Sequence, residues 1–314
     1  MSDLLVEKCR RSYPGSKGIR RSMPFWKEYI LAQSVDDALT ALEQAPQPSC
    51  VIAGGTDLLL DLQQGRHTPV HTLVDVTEVP ELTSLVIRQE MLYLGAAVPL
   101  DQILASRLVK QHAQALFEAV SLIGGPQVRN TATLGGNVAH ALPAGDGTIA
   151  LLALHATAEI AGRAGRRTVP VNDLFLGPGK SILSAGNELL VGFNLPLTSL
   201  SQGSAFCRIM RPQGVAIAIL NMAAWLHLEE GVIVGVRISV GPAAAVPFRA
   251  NLTEKYLLGK RINGDTLAGA GKKLLGEARF RSSPHRATAE YRQLMAVELL
   301  SEVLRCAAQR ASKS

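Results

Sequence analysis

Two short stretches carry the residue types from which an anion site can be built. One is Gly54-Gly55-Thr56-Asp57 within "VIAGGTDLLL"; the other is Gly135-Gly136-Asn137 within "TLGGNVAHALPAGD". Glycine lets backbone N–H groups converge on an anion with no Cβ in the way. Thr56 and Thr133 add hydroxyls, and Asn137 adds an amide. A helix following the first stretch would contribute the positive end of its dipole. Either stretch alone reads as an ordinary turn. Together, with Asp146 further along the second, they suit a pyrophosphate better than a single phosphate.

Other chemistries find less support. No GxGxxG follows a strand, "LAGAGKKLLG" has the wrong spacing, and no GxxxxGK[ST] occurs, so neither a Rossmann site nor a P-loop is expected. Gly269 and Gly271 read as part of a surface helix. No GxSxG elbow occurs. His112, His140, His155 and His227 are dispersed. His155 and His227 lie in apolar runs and read as core or edge histidines, whereas His140 sits inside the second glycine stretch. Asp75 in "LVDV" reads as closing a strand end. Without a nucleophile–base pair, hydrolysis is a poor reading.

These stretches need elements to hold them. "FWKEYILAQSVDDALTALEQA" predicts a strand and a helix, with Ser34 as N-cap and Asp36 and Asp37 in the first turn. Val35, Leu39 and Leu42 share one face of that helix. "CVIA", "DLLLDLQQG" and "HTLVDV" predict strand, short helix and strand, a small α/β unit. "LTSLVIRQEMLYLGAAV" predicts two strands around a turn at residues 88–90. "PLDQILAS" and "RLVKQHAQALFEAVSLIGG" read as helices. "PQVRNTATLGGNVAHALPAGDG" is expected to be a long loop poor in periodicity, of the kind that tends to be functional. "TIALLALHATAEIAG" predicts a buried helix running into a strand. "PLTSLSQGS" breaks the pattern and marks a domain boundary. Beyond it come strands joined by a turn at residues 229–231, then two helical stretches, the last long and amphipathic.

The chain has 314 residues, 47% hydrophobic and 18% charged, an ordinary globular balance with room for two domains. Aromatics are only 4%, which argues against stacking of nucleic-acid bases. Much of the net charge of +6 is local, with Lys8, Arg10, Arg11, Lys17, Arg20 and Arg21 near the start. That segment reads as a disordered basic arm, or as one that docks on an acidic partner. No apolar run is long enough for a membrane span, and no secretory or twin-arginine signal is expected. Cys9, Cys50, Cys207 and Cys306 lie far apart without CxxC spacing, which fits a reducing cytoplasm and no metal or cluster.

The ordered set of motifs from Phe25 onward resembles the FAD-binding, or medium, subunits of molybdenum hydroxylases, the group of xanthine dehydrogenase, carbon monoxide dehydrogenase and 4-hydroxybenzoyl-CoA reductase. "VIAGGTDLL" is similar to that family's first FAD loop and "VRNTATLGGNVAHALPAGD" to its second. "LFLGPGKSILSAGNELLVGFNLP" resembles the segment that closes the FAD domain, and "FCRIMRPQGVAIAILNMAA" and "ATAEYRQLMAVELLSEVL" resemble the C-terminal domain. The resemblance implies an α+β fold: an FAD-binding domain at 24–200 of two α/β subdomains (about 24–80 and 81–200), then a smaller domain at 204–312 of antiparallel strands and helices.

By the same resemblance, Ile52, Ala53, Gly54, Gly55, Thr56, Asp57 and Leu58 wrap the pyrophosphate. Thr133, Gly135, Gly136, Asn137 and His140 continue the cradle. Asp146 accepts from the ribose or adenine end, Leu190 packs near the adenine, and Ile123 and Ala139 lie near the flavin ring. Two departures stand out. Leu142-Pro143 replaces the family's Ser-Pro, and Cys207 stands where xanthine dehydrogenases carry a lysine, with Arg208 beside it as the substitute. The cysteines do not resemble the inserted iron–sulfur site of 4-hydroxybenzoyl-CoA reductase. The implied role is electron transfer: a molybdopterin-bearing large subunit oxidises substrate, a small subunit with two [2Fe-2S] clusters relays electrons to FAD, and NAD or another acceptor receives them. No catalytic acid or base is required. Two rivals stay open, a self-contained flavin oxidase with His140 as a covalent attachment point, and a scaffold without FAD.

Overall fold

The computed structural model describes residues 25–184, 186–211 and 217–312. The basic arm expected at residues 1–23 lies outside the described residues.

The first layer is small. Strand β1 (Glu28–Leu31), helix α1 (Val35–Gln44), strand β2 (Ser49–Ile52), helix α2 (Leu58–Gln63) and strand β3 (Thr72–Asp75) follow in turn. The strands form a parallel sheet in the order β1-β3-β2. Helix α1 starts where expected, because the Ser34 hydroxyl accepts the Asp37 N–H at 3.0 Å. It buries Val35, Ala38 and Leu42. Asp75 closes the end of β3 by accepting the Tyr29 hydroxyl and, at 2.8 Å, the Thr77 N–H.

A short helix α3 (Pro80–Thr83) leads into a second, antiparallel sheet. It contains β4 (Leu85–Arg88) and β5 (Met91–Gly95), joined through Gln89 and Glu90 at φ 49° and 59°. Helices α4 (Leu100–Ala105), α5 (Arg107–His112), α6 (Gln114–Ser121), α7 (Pro126–Arg129), α8 (Leu134–Ala139) and α9 (Asp146–Ala153) come before the sheet resumes. It then adds β6 (Thr157–Gly162), β7 (Gly165–Pro170) and, after the small hairpin β8 (Phe175–Gly177) and β9 (Lys180–Ser181), β10 (Glu188–Pro196). The strand order is β4-β5-β10-β6-β7.

Three expectations need correction here. The single helix read over 107–121 is broken at Ala113, which has φ −140°. The carbonyl of His112 turns outward there and accepts the Thr198 hydroxyl at 2.7 Å. The long loop is instead folded into α7, α8 and their connectors, so Gly135 and Gly136 lie inside a helix. His155, read as a core or edge histidine, is exposed at φ 57° in the turn between α9 and β6.

The third sheet runs β11 (Gln202–Ile209), β12 (Leu220–Glu229), β13 (Val232–Gly241) and β14 (Phe248–Arg249) in that spatial order, antiparallel throughout. Alternation along β12 gives it two buried faces. Met222, Ala224 and Leu226 meet one core with α10 (Asn251–Leu257), α11 (Gly264–Glu277) and α12 (Ala289–Ala311). Ala223 and Trp225 on the opposite face join the core of the second sheet. Three helices therefore stand where two were expected. The helix carrying Gly269 and Gly271, α11, keeps Lys272, Lys273 and Leu275 exposed, while Gly271 is buried on its inner face, where a Cβ would meet Val297 of α12 at 2.9 Å.

Candidate cofactor site

The chain leaves β2 at Ile52, turns through Ala53–Asp57 and enters α2. Among the described residues, the N–H groups of Gly54, Gly55, Thr56 and Asp57 have no acceptor. Gly55 sits at φ +65°, the left-handed region in which side chains are strained. Helix α2 has only six residues, so the consecutive N–H groups matter more here than its dipole.

Gly54 has a different reason to be glycine. A Cβ there would fall 2.0 Å from the carbonyl oxygen of Thr131 and 2.8 Å from Cα of Ala132. The first loop thus abuts the backbone immediately before the second. Gly135 behaves alike: its Cβ would fall 2.5 Å from the Ala96 carbonyl oxygen, to which its own N–H donates at 2.9 Å. The expectation that all these glycines give clearance to a ligand is therefore corrected. Gly54 and Gly135 make room for protein backbone. Gly136 is exposed, and only Thr133 Oγ1 would lie near its Cβ, at 3.2 Å.

Thr133 is the N-cap of α8 and is buried, its hydroxyl accepting the Gly136 N–H at 3.1 Å. His140 at the other end of α8 reaches back to the first loop, with Nδ1 3.3 Å from Asp57 Oδ2. That bond holds His140 above its ordinary value and Asp57 below its own. Leu58 and Ile52 pack in a small cluster under the first loop. Ala139 is exposed on α8. Ile123 packs against the main core, and its carbonyl accepts Arg129 Nη1 at 3.1 Å. Leu190 lies within that core on β10.

Asp146 opens α9 in a buried position. Its carboxylate pairs with Arg208 of β11 and accepts the Asn221 amide of β12 at 2.6 Å. Burial raises the Asp146 carboxyl, and Arg208 and Asn221 oppose that rise. Both carboxylate oxygens are thus engaged within the protein, joining the second sheet's helices to the third sheet. Around this pair lie polar atoms that are buried and unpartnered: Asn137 Oδ1, Thr148 Oγ1, Arg208 Nε and Asn221 Oδ1. A Cβ on Gly147 would lie 2.8 Å from Asn137 Oδ1, and one on Gly145 would lie 3.1 Å from Thr148 Oγ1 and 3.4 Å from Asn137 Oδ1. Buried polar atoms are normally satisfied, so four together suit a polar ligand. With the four open N–H groups, this donor and acceptor set fits a dinucleotide such as FAD. Sequence reasoning missed Asn221 and Thr148; a lone asparagine within the apolar run "AIAILNMAAW" was the available signal for the first.

Residues 23–198 match the family described as the FAD binding domain in molybdopterin dehydrogenase, and residues 204–307 match the CO dehydrogenase flavoprotein C-terminal domain. This chain is an FAD-binding medium subunit of the molybdenum hydroxylase family. Among its relatives is the xanthine dehydrogenase FAD-binding subunit of Escherichia coli O157:H7, 32% identical over 285 residues, covering 89% of this chain and 96% of that one. The carbon monoxide dehydrogenase medium chain of Hydrogenophaga pseudoflava is 28% identical over 280 residues, covering 89% and 96%. The solved carbon monoxide dehydrogenase of that organism superposes with a TM-score of 0.86 at 28% identity, over 92% of this chain and 99% of that chain. Quinoline 2-oxidoreductase from Pseudomonas putida 86 gives 0.83 at 28% identity, over 91% and 98%.

In this flavoprotein the Cys207 thiol is pushed up to about 12, chiefly by burial, so it stays a neutral thiol. Arg208 beside it is paired with Asp146. Among the described residues no helix is long and apolar enough to cross a membrane, and no group of His, Cys, Asp and Glu is placed to hold a metal ion.

Proposed function

We propose that this flavoprotein holds FAD across the cradle of Ile52–Leu58 and Thr133–His140 within a cytoplasmic molybdenum hydroxylase complex. A partner subunit with two [2Fe-2S] clusters delivers electrons, a molybdopterin-bearing large subunit oxidises the substrate, and NAD or another acceptor takes the electrons away. Bound FAD supplies the redox chemistry. The chain's own residues bind and orient. The N–H groups of Gly54–Asp57 meet the pyrophosphate, Asn137 and Thr148 offer polar atoms, and the Asp146–Arg208–Asn221 group sets the distance between the two domains. No side chain is assigned as a catalytic acid or base. The observation that supports this reading is the close approach of Gly54 to the Thr131 backbone, which sets the two glycine stretches side by side.

The test is purification of the chain with whatever accompanies it. FAD released intact on denaturation, with co-purification of a molybdopterin subunit and a two-cluster subunit, supports the reading. A chain that takes up no flavin, even with FAD added, ends it.

A further inference from the structure

A second polar cavity lies away from the cradle. It has a volume of about 170 Å³ and sits where the end of α5 and β10 meets the third sheet. Its apolar side includes Leu154 and Leu197; its polar side is formed by His112, Thr198, Gln202 and Arg237, with Trp225 beside them. Trp225 lies four residues along β12 from Asn221, about 14 Å at the usual strand rise, so the cavity is distinct from the cradle.

Arg237 is the unusual member. Its guanidinium lies 4.2 Å from the centre of the Trp225 ring and, among the described residues, makes no hydrogen bond or ion pair. The carboxylate that acts on it, Glu254, is already held by Arg249 at 2.9 Å through both oxygens and by the Ile238 N–H at 2.8 Å. Burial and the neighbouring Arg249 both push the Arg237 guanidinium down from its ordinary value. His155 is lowered by the same two arginines after burial, so the local field is positive. His112 Nδ1 is also buried and unpartnered. A half-buried cation without a counter-charge is costly, and an anion in the adjoining space relieves that cost.

We propose that this cavity binds a small oxyanion, held by Arg237 against Trp225 with His112 as a second polar contact. The space equals five or six waters at about 30 Å³ each, enough for phosphate or a short carboxylate and too small for a dinucleotide.

The sequence carries two tryptophans, so a Trp26→Phe background leaves Trp225 as the local reporter. Titration with inorganic phosphate, and separately with succinate, at ionic strength held constant by chloride, is expected to change its fluorescence saturably for at least one probe. Which probe saturates tells phosphate from carboxylate. Arg237→Met, followed by thermal melting because it alters the reporter's neighbour, is expected to weaken the response at least tenfold. That variant leaves the cradle intact and so separates this site from anion binding there. If it fails to fold by circular dichroism, His112→Ala carries the test, with several-fold weaker fluorescence saturation expected. No saturable response to either probe, or an unchanged half-point in the folded variant, overturns the proposal.

Discussion

Gly54 and Gly136 both belong to the proposed cradle, and the structure gives them different surroundings. A methyl group on Gly54 collides with the Thr131 carbonyl, so Gly54→Ala is expected to cost about 1–3 kcal/mol of stability and to lower FAD retention with it. Gly136→Ala puts only a methyl 3.2 Å from the Thr133 hydroxyl, a close contact that a small side-chain shift relieves. It should leave the melting temperature nearly unchanged while reducing flavin content; unaltered flavin in that variant would falsify the cradle assignment. His140 makes a pH prediction. Its bond to Asp57 is the first cause that holds it above 6.5, with Asp61 adding and burial and Arg66 opposing. The same bond holds Asp57 below 3.8. The raised histidine contributes fully below 6.5, and its contribution is lost as pH climbs through its folded value. The lowered aspartate contributes above 3.8 and loses its contribution as pH falls through its own folded value. FAD fluorescence should therefore show release increasing above pH 6.5, with that part of the profile flattened in His140→Gln. Identical profiles would remove the clasp from the account.

The elements nearest the site show what a single sequence makes legible. The capped helix after Ser34, the hairpin turns and the long final helix all carry local signals, and the structure follows them. The helix break at Ala113 carries none, because it depends on the Thr198 hydroxyl, far along the chain. The glycine run 135–136 reads locally as loop, yet it is helical because Thr133 caps it and its backbone lies flat on Ala96. The Asp146–Arg208–Asn221 group was half legible: the aspartate and arginine were named for the cofactor, whereas their partnership with each other depends on how α9 meets β11 and β12. That partnership is testable by denaturant unfolding. Arg208→Met strands a buried carboxylate and should cost about 3–5 kcal/mol. Adding Asp146→Asn should recover part of the loss, so the double variant is more stable than the sum of the singles predicts. Strict additivity would mean that the pair does not act as a unit.

Across the whole molecule, Glu118 of α6 joins the two halves. It accepts the Phe206 N–H of β11 at 2.9 Å and pairs with Arg310 of α12, which also donates to the Ser204 carbonyl at 2.6 Å. Glu118→Ala leaves the Phe206 N–H without this acceptor, at a cost of about 1–3 kcal/mol. Calorimetry should then resolve two transitions where the unaltered chain shows one; a single sharp transition in the variant would place the coupling elsewhere. The contact of Gly54 with Thr131 has a consequence in time. Its two sides are separated by all of the chain from α2 to α7, including two strands of a different sheet. A chain emerging from the ribosome has no such contact until both layers have formed and met. A cradle that spans this contact is therefore complete only once both layers have met.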